Sequence, residues 1–202
     1  MGTIVVQAFM TLDGVIQSPG SADEDREGGF ELGGWQAGYD LEELLLEWES
    51  KTEALLLGRK TYDIWSQAWG VWDENAPGLM GEFTRRYNRV PKYVASRTLT
   101  QLGWKNSRLL GEDLAAEVGA IRSAHEGEIR VWGSSNLIRS LAEFDLIDEY
   151  RLVVYPITLG TGKKLFSDDF PRSTFRLVDT QREASGVVVS KYRRASTLLP
   201  SA

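Results

Sequence analysis

Three short strand-like runs each end in a turn that carries phosphate-compatible donors from glycine, hydroxyl or cationic residues, and this repeated pattern constrains the fold most. Residues 55–57 run into Gly58-Arg59-Lys60-Thr61 and then into a helical pattern. Residues 93–95 end in Ser96-Arg97-Thr98, and residues 129–132 end in Gly133-Ser134-Ser135 before another helical pattern. Strands that run into helices are typical of a parallel α/β sheet, because parallel neighbours need a crossover connection.

The composition of these turns suits an anion. Glycine lets the backbone approach a ligand closely, helix N-terminal amides favour negative charge, and Arg59 and Lys60 add positive charge. An ordinary strand-to-helix turn with solvated cations explains the first turn equally well. Coincidence explains one such turn easily and three poorly, so together they indicate a phosphate-binding edge of the sheet.

The remaining patterns complete an α/β fold of one domain. Leu41, Leu44, Leu45 and Trp48 recur at helical spacing, and Asp40 with Glu43 resembles a capping box. Residues 17–38 form a long loop rich in glycine and charge. Predicted strands lie at 4–9, 54–57, 93–95, 107–110, 128–132 and 149–155, and predicted helices lie from 61 and at 78–88, 112–124 and 135–143. The last strands, 174–182 and 187–193, form a hairpin.

We therefore predict a mostly parallel central sheet with helices on both faces and an antiparallel C-terminal hairpin. The domain spans residues 1–194, and residues 195–202 are expected to be a loose tail.

Composition excludes several classes of function. The net charge of −6 and the absence of a basic stripe argue against nucleic-acid binding. The chain has no cysteine, which excludes disulfides, thiolate catalysis and zinc-thiolate sites, and its single histidine, His125, supports neither a triad nor a histidine metal site. No apolar run reaches the roughly 18 residues of a membrane span, and the N-terminus resembles no signal peptide, so we expect a cytoplasmic protein.

The ordered turns resemble the dihydrofolate reductase superfamily and, more narrowly, the reductase domain of bacterial riboflavin biosynthesis and its uncharacterised stand-alone relatives. Two further segments fit that group, Thr11-Leu12-Asp13-Gly14-Val15-Ile16 and Pro156-Ile157-Thr158-Leu159-Gly160-Thr161-Gly162-Lys163-Lys164-Leu165-Phe166. The resemblance covers about residues 3–194 and implies a dihydrofolate reductase-like fold.

The same resemblance implies NADPH as the cofactor. Gly58, Arg59, Lys60 and Thr61 would hold the pyrophosphate and adenosine side, and Ser96 and Arg97 would meet the ribose 2′-phosphate. The residues expected near the pyrophosphate and nicotinamide ribose are Gly133, Ser134, Ser135 and Leu137, and those expected to flank the nicotinamide are Ala8, Val15 and Ile16. The alternative for Arg97 is a solvated cation after an edge strand.

For catalysis, hydride transfer to a C=N or C=O bond needs a proton on the neighbouring heteroatom, from an acid or an ordered water. Asp40 follows Trp35 by five residues, as the active-site acid of dihydrofolate reductases follows its tryptophan, so the resemblance makes Asp40 a candidate proton donor and makes both Asp40 and Trp35 candidate substrate contacts. Asp13 is a second candidate for both roles. Asp40 as a helix cap and Asp13 as an Asp-Gly turn residue are the structural alternatives. Trp35, Trp69 and Trp72 either line a pocket for a flat ligand or cover the core.

The resulting hypothesis is an NADPH-dependent reductase acting on a small pterin- or pyrimidine-like heterocycle or a carbonyl. The reaction of the most similar family is reduction of 5-amino-6-(5-phosphoribosylamino)uracil. One alternative is an NADP-binding regulatory or interaction protein without turnover, and another is an α/β domain that binds no dinucleotide. Because the relatives are commonly dimers, a homodimer is expected, in which residues 186–189 of the hairpin either form part of the interface or are buried in their own sheet.

Overall fold

The computed structural model describes residues 1–195 and contains one eight-stranded sheet. The strands are β1 Thr3–Thr11, β2 Thr52–Gly58, β3 Lys92–Ala95, β4 Ser107–Leu109, β5 Glu128–Trp132, β6 Glu149–Tyr155, β7 Phe175–Arg182 and β8 Val188–Arg194. Their order across the sheet is β4-β3-β2-β5-β1-β6-β8-β7. The first six strands in this order run parallel to one another, and β8 runs antiparallel to both of its neighbours, β6 and β7. This arrangement confirms the predicted fold class.

In the described part of the chain, five α-helices cover the two faces of the sheet: α1 Glu42–Ser50, α2 Arg59–Ala68, α3 Gly78–Arg89, α4 Leu114–Ala124 and α5 Ser135–Glu143. Side chains alternate along β2, so Ala54 and Leu56 pack with α4 and α5, whereas Leu55 and Leu57 pack with α2 and α3. The helix α1 packs through Trp48 beside Val153, on the same face as α2 and α3. Within residues 1–195, no helix has the length and apolar composition to cross a membrane.

The C-terminal hairpin extends the sheet beyond β6, as predicted. Val187 and Val189 are buried within their own chain, whereas Val188 is partly exposed. The outer strand β7 also exposes Leu177 and Val178. Residues 187 and 189 of the expected interface segment are thus core residues of the monomer. The dimer prediction now rests on the exposed outer surface of the hairpin. The predicted loose tail lies outside the described residues from position 196 onward.

The start of α1 differs from the predicted capping box. The Asp40 carboxylate accepts a hydrogen bond from the Glu42 backbone N–H at 3.1 Å, but the residue that precedes the helix is Leu41. Within the described chain, Glu43 does not return a hydrogen bond to Asp40. Asp40 therefore closes a short local turn before α1, because its side chain reaches the amide two residues ahead.

Candidate active site

Two strand-to-helix turns meet at the carboxyl edge of the sheet. Gly58 ends β2 directly before α2, and a Cβ atom at this position would overlap the Ser134 side chain. The Thr61 hydroxyl donates to the Ser134 hydroxyl at 3.3 Å, which links the β2–α2 and β5–α5 turns. Gly133 and Ser134 both adopt left-handed backbone conformations, with φ of 55° and 59°. This turn leads directly into α5, whose first amides are open to an anion.

A cleft of about 1680 Å³ follows α2 from its N-terminus to its C-terminus. At the N-terminal end the lining contains these turns, Ser96 and the cleft's five cations, which are Arg59, Lys60, Arg97, Arg139 and Lys163. We call this part the cationic end. The volume of the whole cleft exceeds the roughly 300–1,000 Å³ that is usual for one small ligand, so the cleft has room for two ligands.

Most of these cations are already paired with carboxylates. Lys163 Nζ lies 2.6 Å from both Asp25 and Glu27, and Lys60 Nζ lies 3.4 Å from Asp25. Burial alone would raise the pKa of Asp25, but the hydrogen bonds from Lys163 and the Glu27 amide, with the charges of Lys163 and Lys60, together outweigh burial and lower it. Arg97 is exposed, and no carboxylate of residues 1–195 pairs with it.

The other end of the cleft is walled by aromatic and aliphatic side chains, and we call it the aromatic end. Trp132 of β5 lies 5.2 Å from Phe9 and 5.5 Å from Trp65 between ring centroids, and Trp65 lies 4.9 Å from Tyr87. The remaining lining residues at this end are Gln7, Leu45, Ile64, Gln67, Ala68, Trp69, Trp72, Leu79, Met80 and Phe83. Such a wall favours a flat, largely apolar ligand.

A buried polar network supports this aromatic wall from behind. The Trp132 Nε1–H donates to Glu49 at 3.1 Å, and the Thr52 hydroxyl donates to the same carboxylate at 3.0 Å. Burial raises the pKa of Glu49, against the opposing effect of nearby Arg130. Arg130 is itself fully buried and donates to Gln7 and to the Trp48 carbonyl. The network fixes Trp132 and Gln7 beside the cleft.

The structure gathers nearly all of the predicted cofactor-binding residues into the cleft lining. They are Ala8, Ile16, Gly58, Arg59, Lys60, Thr61, Ser96, Arg97, Gly133, Ser134, Ser135 and Leu137. Val15 is the exception: it is fully buried behind the lining, in contact distance of Gly162. This arrangement is geometric support for the set, and the role of each residue stays a prediction.

Asp13 lies outside the cleft lining and joins two loops. Its carboxylate accepts hydrogen bonds from the Thr11 hydroxyl at 2.6 Å and from the Gly160 amide at 2.7 Å. The Thr11 hydroxyl and the Gly160 and Leu159 amides lower the pKa of Asp13 to about 2. A carboxyl group with so low a pKa is ionised near neutral pH, which disfavours Asp13 as a proton donor.

Trp35 and Asp40 also lie outside the cleft lining. Trp35 is buried, donates from Nε1 to the Gln17 carbonyl at 2.8 Å and meets Tyr155 edge-on, so it covers the core. Asp40 is exposed beside α1. Trp69 and Trp72, in contrast, line the aromatic end. The five-residue spacing of Trp35 and Asp40 therefore does not bring either side chain to the cleft, and their predicted catalytic and substrate roles lack a contact there.

Sequence reasoning missed several lining residues. Gln7 and Trp132 lie on neighbouring strands in direct register, and Lys163 reaches the cationic end from a distant loop. Gln7 sits in the strand 4–9 as its one large polar residue between apolar neighbours, which is a signal for a partnered buried group. Lys163 belongs to the glycine-rich segment that carried the resemblance, but its partners in the loop 17–38 are not readable from spacing.

The fold and the cleft define a dihydrofolate reductase-like α/β domain. The chain belongs to the RibD C-terminal domain family, whose profile matches residues 2–189.

Individual relatives agree with this assignment. The uncharacterised protein YyaP of Bacillus subtilis (strain 168) is 29% identical over 143 residues, which cover 71% of this chain and 74% of that protein. Among solved structures, a putative riboflavin biosynthesis protein from Shewanella sp. PV-4 superposes with a TM-score of 0.69 at 20% identity and covers 96% of this chain and 99% of its own. The dihydrofolate reductase of Enterococcus faecalis, complexed with NADP(H), gives a TM-score of 0.57 at 16% identity, with 96% of each chain covered.

Proposed function

We propose that this protein is an NADPH-dependent reductase that transfers a hydride to a small heterocycle or carbonyl compound. The observation that carries the proposal is the division of one cleft into a cationic end and an aromatic end along a single helix, α2. Such a cleft suits a phosphate-bearing cofactor and a flat substrate side by side. Membership of the RibD C-terminal domain family supports a reductase, and the relative complexed with NADP(H) supports the choice of cofactor.

The donor set at the cationic end fits a dinucleotide phosphate. The helices α2 and α5 both begin there, so their first amides are available to an anion. Gly58, Thr61, Ser134 and Ser135 would hold the pyrophosphate, and Arg97 would meet the 2′-phosphate. When bound, NADPH supplies the hydride, and the protein's part is to orient the two ligands and exclude water.

The proton for the reduced heteroatom would come from water. No carboxylate, histidine or lysine from residues 1–195 lines the aromatic end. Tyr87 is the one phenol that the described residues place there, and burial holds its pKa well above its usual range, which makes it a weak acid. An ordered water that reaches the cleft supplies a proton without any such side chain.

A cofactor titration tests the proposal. We expect micromolar NADPH binding by calorimetry, and Arg97→Ala should lose about ten- to a hundred-fold in affinity for NADPH and much less for NADH, since a charged hydrogen bond is worth roughly 1.5–3 kcal/mol. Arg176→Ala, an exposed arginine on β7, is the matched control. Equal losses for the two cofactors would remove the 2′-phosphate role, and failure to bind either cofactor would refute the function. NADPH binding without oxidation by pterins, pyrimidines or quinones would indicate the regulatory alternative.

A further inference from the structure

We propose that the aromatic end of the cleft accepts a planar ring compound with a carbonyl group and no phosphate or carboxylate, and that Gln7 is the specificity residue that binds the carbonyl oxygen. The inference rests on the proposed function, because it names the class of substrate that would lie beside the cofactor. It departs from a phosphorylated aminouracil, which carries an anionic group that this end of the cleft does not match.

The first argument is the distribution of charge along the cleft. All five lining cations lie at the cationic end, which the proposed function assigns to the cofactor. Of the described residues that line the aromatic end, none carries a charge, and the polar ones are Gln7, Gln67, Tyr87 and the indole N–H of tryptophan. A phosphate placed among these walls would lose its hydration without gaining a cation, which is strongly unfavourable.

The second argument is the shape and polarity of the walls. The rings of Phe9, Trp132, Trp65, Tyr87 and Trp69 form a continuous series of contacts, with centroids 4.9–6.0 Å apart. At the mouth of this end, Trp72 and Met80 are 41% and 45% exposed. Large apolar side chains exposed at the mouth of a cleft mark a surface that binds an apolar, ring-shaped ligand.

The third argument concerns the side chain of Gln7. Gln7 is fully buried and lines the cleft, and its Nε2 has no hydrogen-bond partner within residues 1–195. Arg130 donates to Oε1, and because a guanidinium only donates, the amide oxygen must face it. The amide group is thereby left with its donors free. A buried donor without a partner is costly, and a ligand carbonyl oxygen would satisfy it.

Two other lining residues have a buried polar atom without a hydrogen-bond partner among the described residues, but neither lies at the aromatic end. Gln36 packs against the loop at Gly20, and Arg139 of α5 pairs with Glu143 and Asp169. Gln7 is distinguished from them by its register with Trp132, which places it on the floor of the aromatic end. A carbonyl acceptor there would lie against the ring wall.

Riboflavin and flavin mononucleotide test the absence of an anion site, because they share one planar carbonyl-bearing ring and differ by one phosphate. Their binding is measured by flavin fluorescence on protein saturated with NADP⁺, which blocks the cationic end and prevents turnover. We expect riboflavin to bind at least tenfold more tightly. Equal or tighter binding of flavin mononucleotide, or binding of neither ring, would overturn the inference.

Two variants locate the binding at this end. Gln7→Glu keeps an acceptor for Arg130 but removes the N–H donor, so we expect riboflavin affinity to fall at least tenfold while NADP⁺ affinity stays unchanged. Met80→Lys adds a cation at the mouth, so we expect the ratio of flavin mononucleotide affinity to riboflavin affinity to rise about tenfold. Phe144→Lys, an exposed position outside the lining, is the control for Met80→Lys. An unchanged riboflavin affinity in a folded Gln7→Glu protein would remove Gln7 from the site.

Failure of this inference is separable from failure of the proposed function. NADP⁺ binding with a preference for flavin mononucleotide would overturn the inference and leave the reductase proposal intact. Absence of NADP⁺ binding would overturn the reductase proposal. The binding of the two flavins is then measured on the free protein. If the Gln7 and Met80 variants change that binding as expected, the inference about the ligand class stands without the reductase proposal.

Discussion

At the scale of single residues, Asp13 shows how one carboxylate joins two distant segments of the chain. It ties the loop after β1 to the amides of Leu159 and Gly160, almost 150 positions later. Beside it, Val15 and Lys164 form a bridge, and Gly162 adopts a φ of 116° where a Cβ would lie 2.8 Å from both Phe30 and Val15. The two segments that resembled the riboflavin-biosynthesis reductases therefore pack on each other, and their residue types are explained by this packing.

We expect Asp13→Asn to lower the free energy of unfolding by about 1–2 kcal/mol at pH 7, because a charged acceptor of three hydrogen bonds becomes neutral. The native pKa of about 2 lies below the ordinary value, so the carboxylate stabilises the fold above about pH 4, and this contribution is lost as the pH falls toward 2. Urea unfolding of both proteins between pH 7 and pH 3 measures the difference, with Asp168→Asn as an exposed control. A difference that does not change with pH would contradict the role of the charge.

Asp40→Asn is expected to leave reductase turnover within about twofold of wild type, because Asp40 is exposed and lies outside the cleft lining. Because the side-chain oxygen of Asn accepts the same hydrogen bond from the Glu42 amide, the free energy of unfolding should change by less than about 0.5 kcal/mol. NADPH oxidation with an acceptor that the wild type reduces, together with thermal unfolding, checks both statements. A tenfold fall in turnover with unchanged NADPH affinity would restore Asp40 as the proton source.

At the scale of elements, the loop between β1 and α1 places carboxylates against the cations of the cleft. Asp25 and Glu27 contact Lys60 at the start of α2 and Lys163 on the opposite side. An anionic ligand at Lys60 must therefore compete with the protein's own carboxylates.

From this competition we expect Glu27→Gln to bind NADPH about two- to fivefold more tightly at low ionic strength, with the gain fading as salt is added. Calorimetric titrations at two salt concentrations give the measurement. Glu31→Gln, in the same loop and outside these ion pairs, serves as the control. Weaker binding in Glu27→Gln would mean that the carboxylates hold the loop in its binding conformation instead.

The elements and the site were predictable from the sequence to different degrees. The turns at Gly58, Ser96 and Gly133 could be placed together because the carboxyl ends of parallel strands share one edge. The position of Asp40 could not be predicted in this way, because a spacing taken from a resemblance does not determine how α1 and the loop before it pack on the sheet. Nor was the contact of Gln7 with Arg130, which depends on side chains 123 positions apart in the buried layer.

At the scale of the whole molecule, the outer strand β7 ends the sheet, and its outer edge has no strand partner among residues 1–195. Leu177 and Val178 are 48% and 40% exposed on this strand, and an open edge with apolar residues favours association. We expect a homodimer through this hairpin, and light scattering at micromolar concentration should give about twice 22.6 kDa. Val178→Lys should shift the protein toward monomer. A species of 22.6 kDa for the wild type would contradict the dimer.

The strand order also has a consequence for synthesis on the ribosome. The central strand β1 is flanked by β5 and β6, so Thr3 pairs with Glu128 and Val5 with Glu149. β1 therefore leaves the ribosome long before either of its neighbours exists. Its apolar residues Ile4, Val5 and Val6 stay without their native partners while more than 120 further residues are translated. Productive folding must wait for the second half of the chain, and during that interval this segment is a natural binding site for a chaperone.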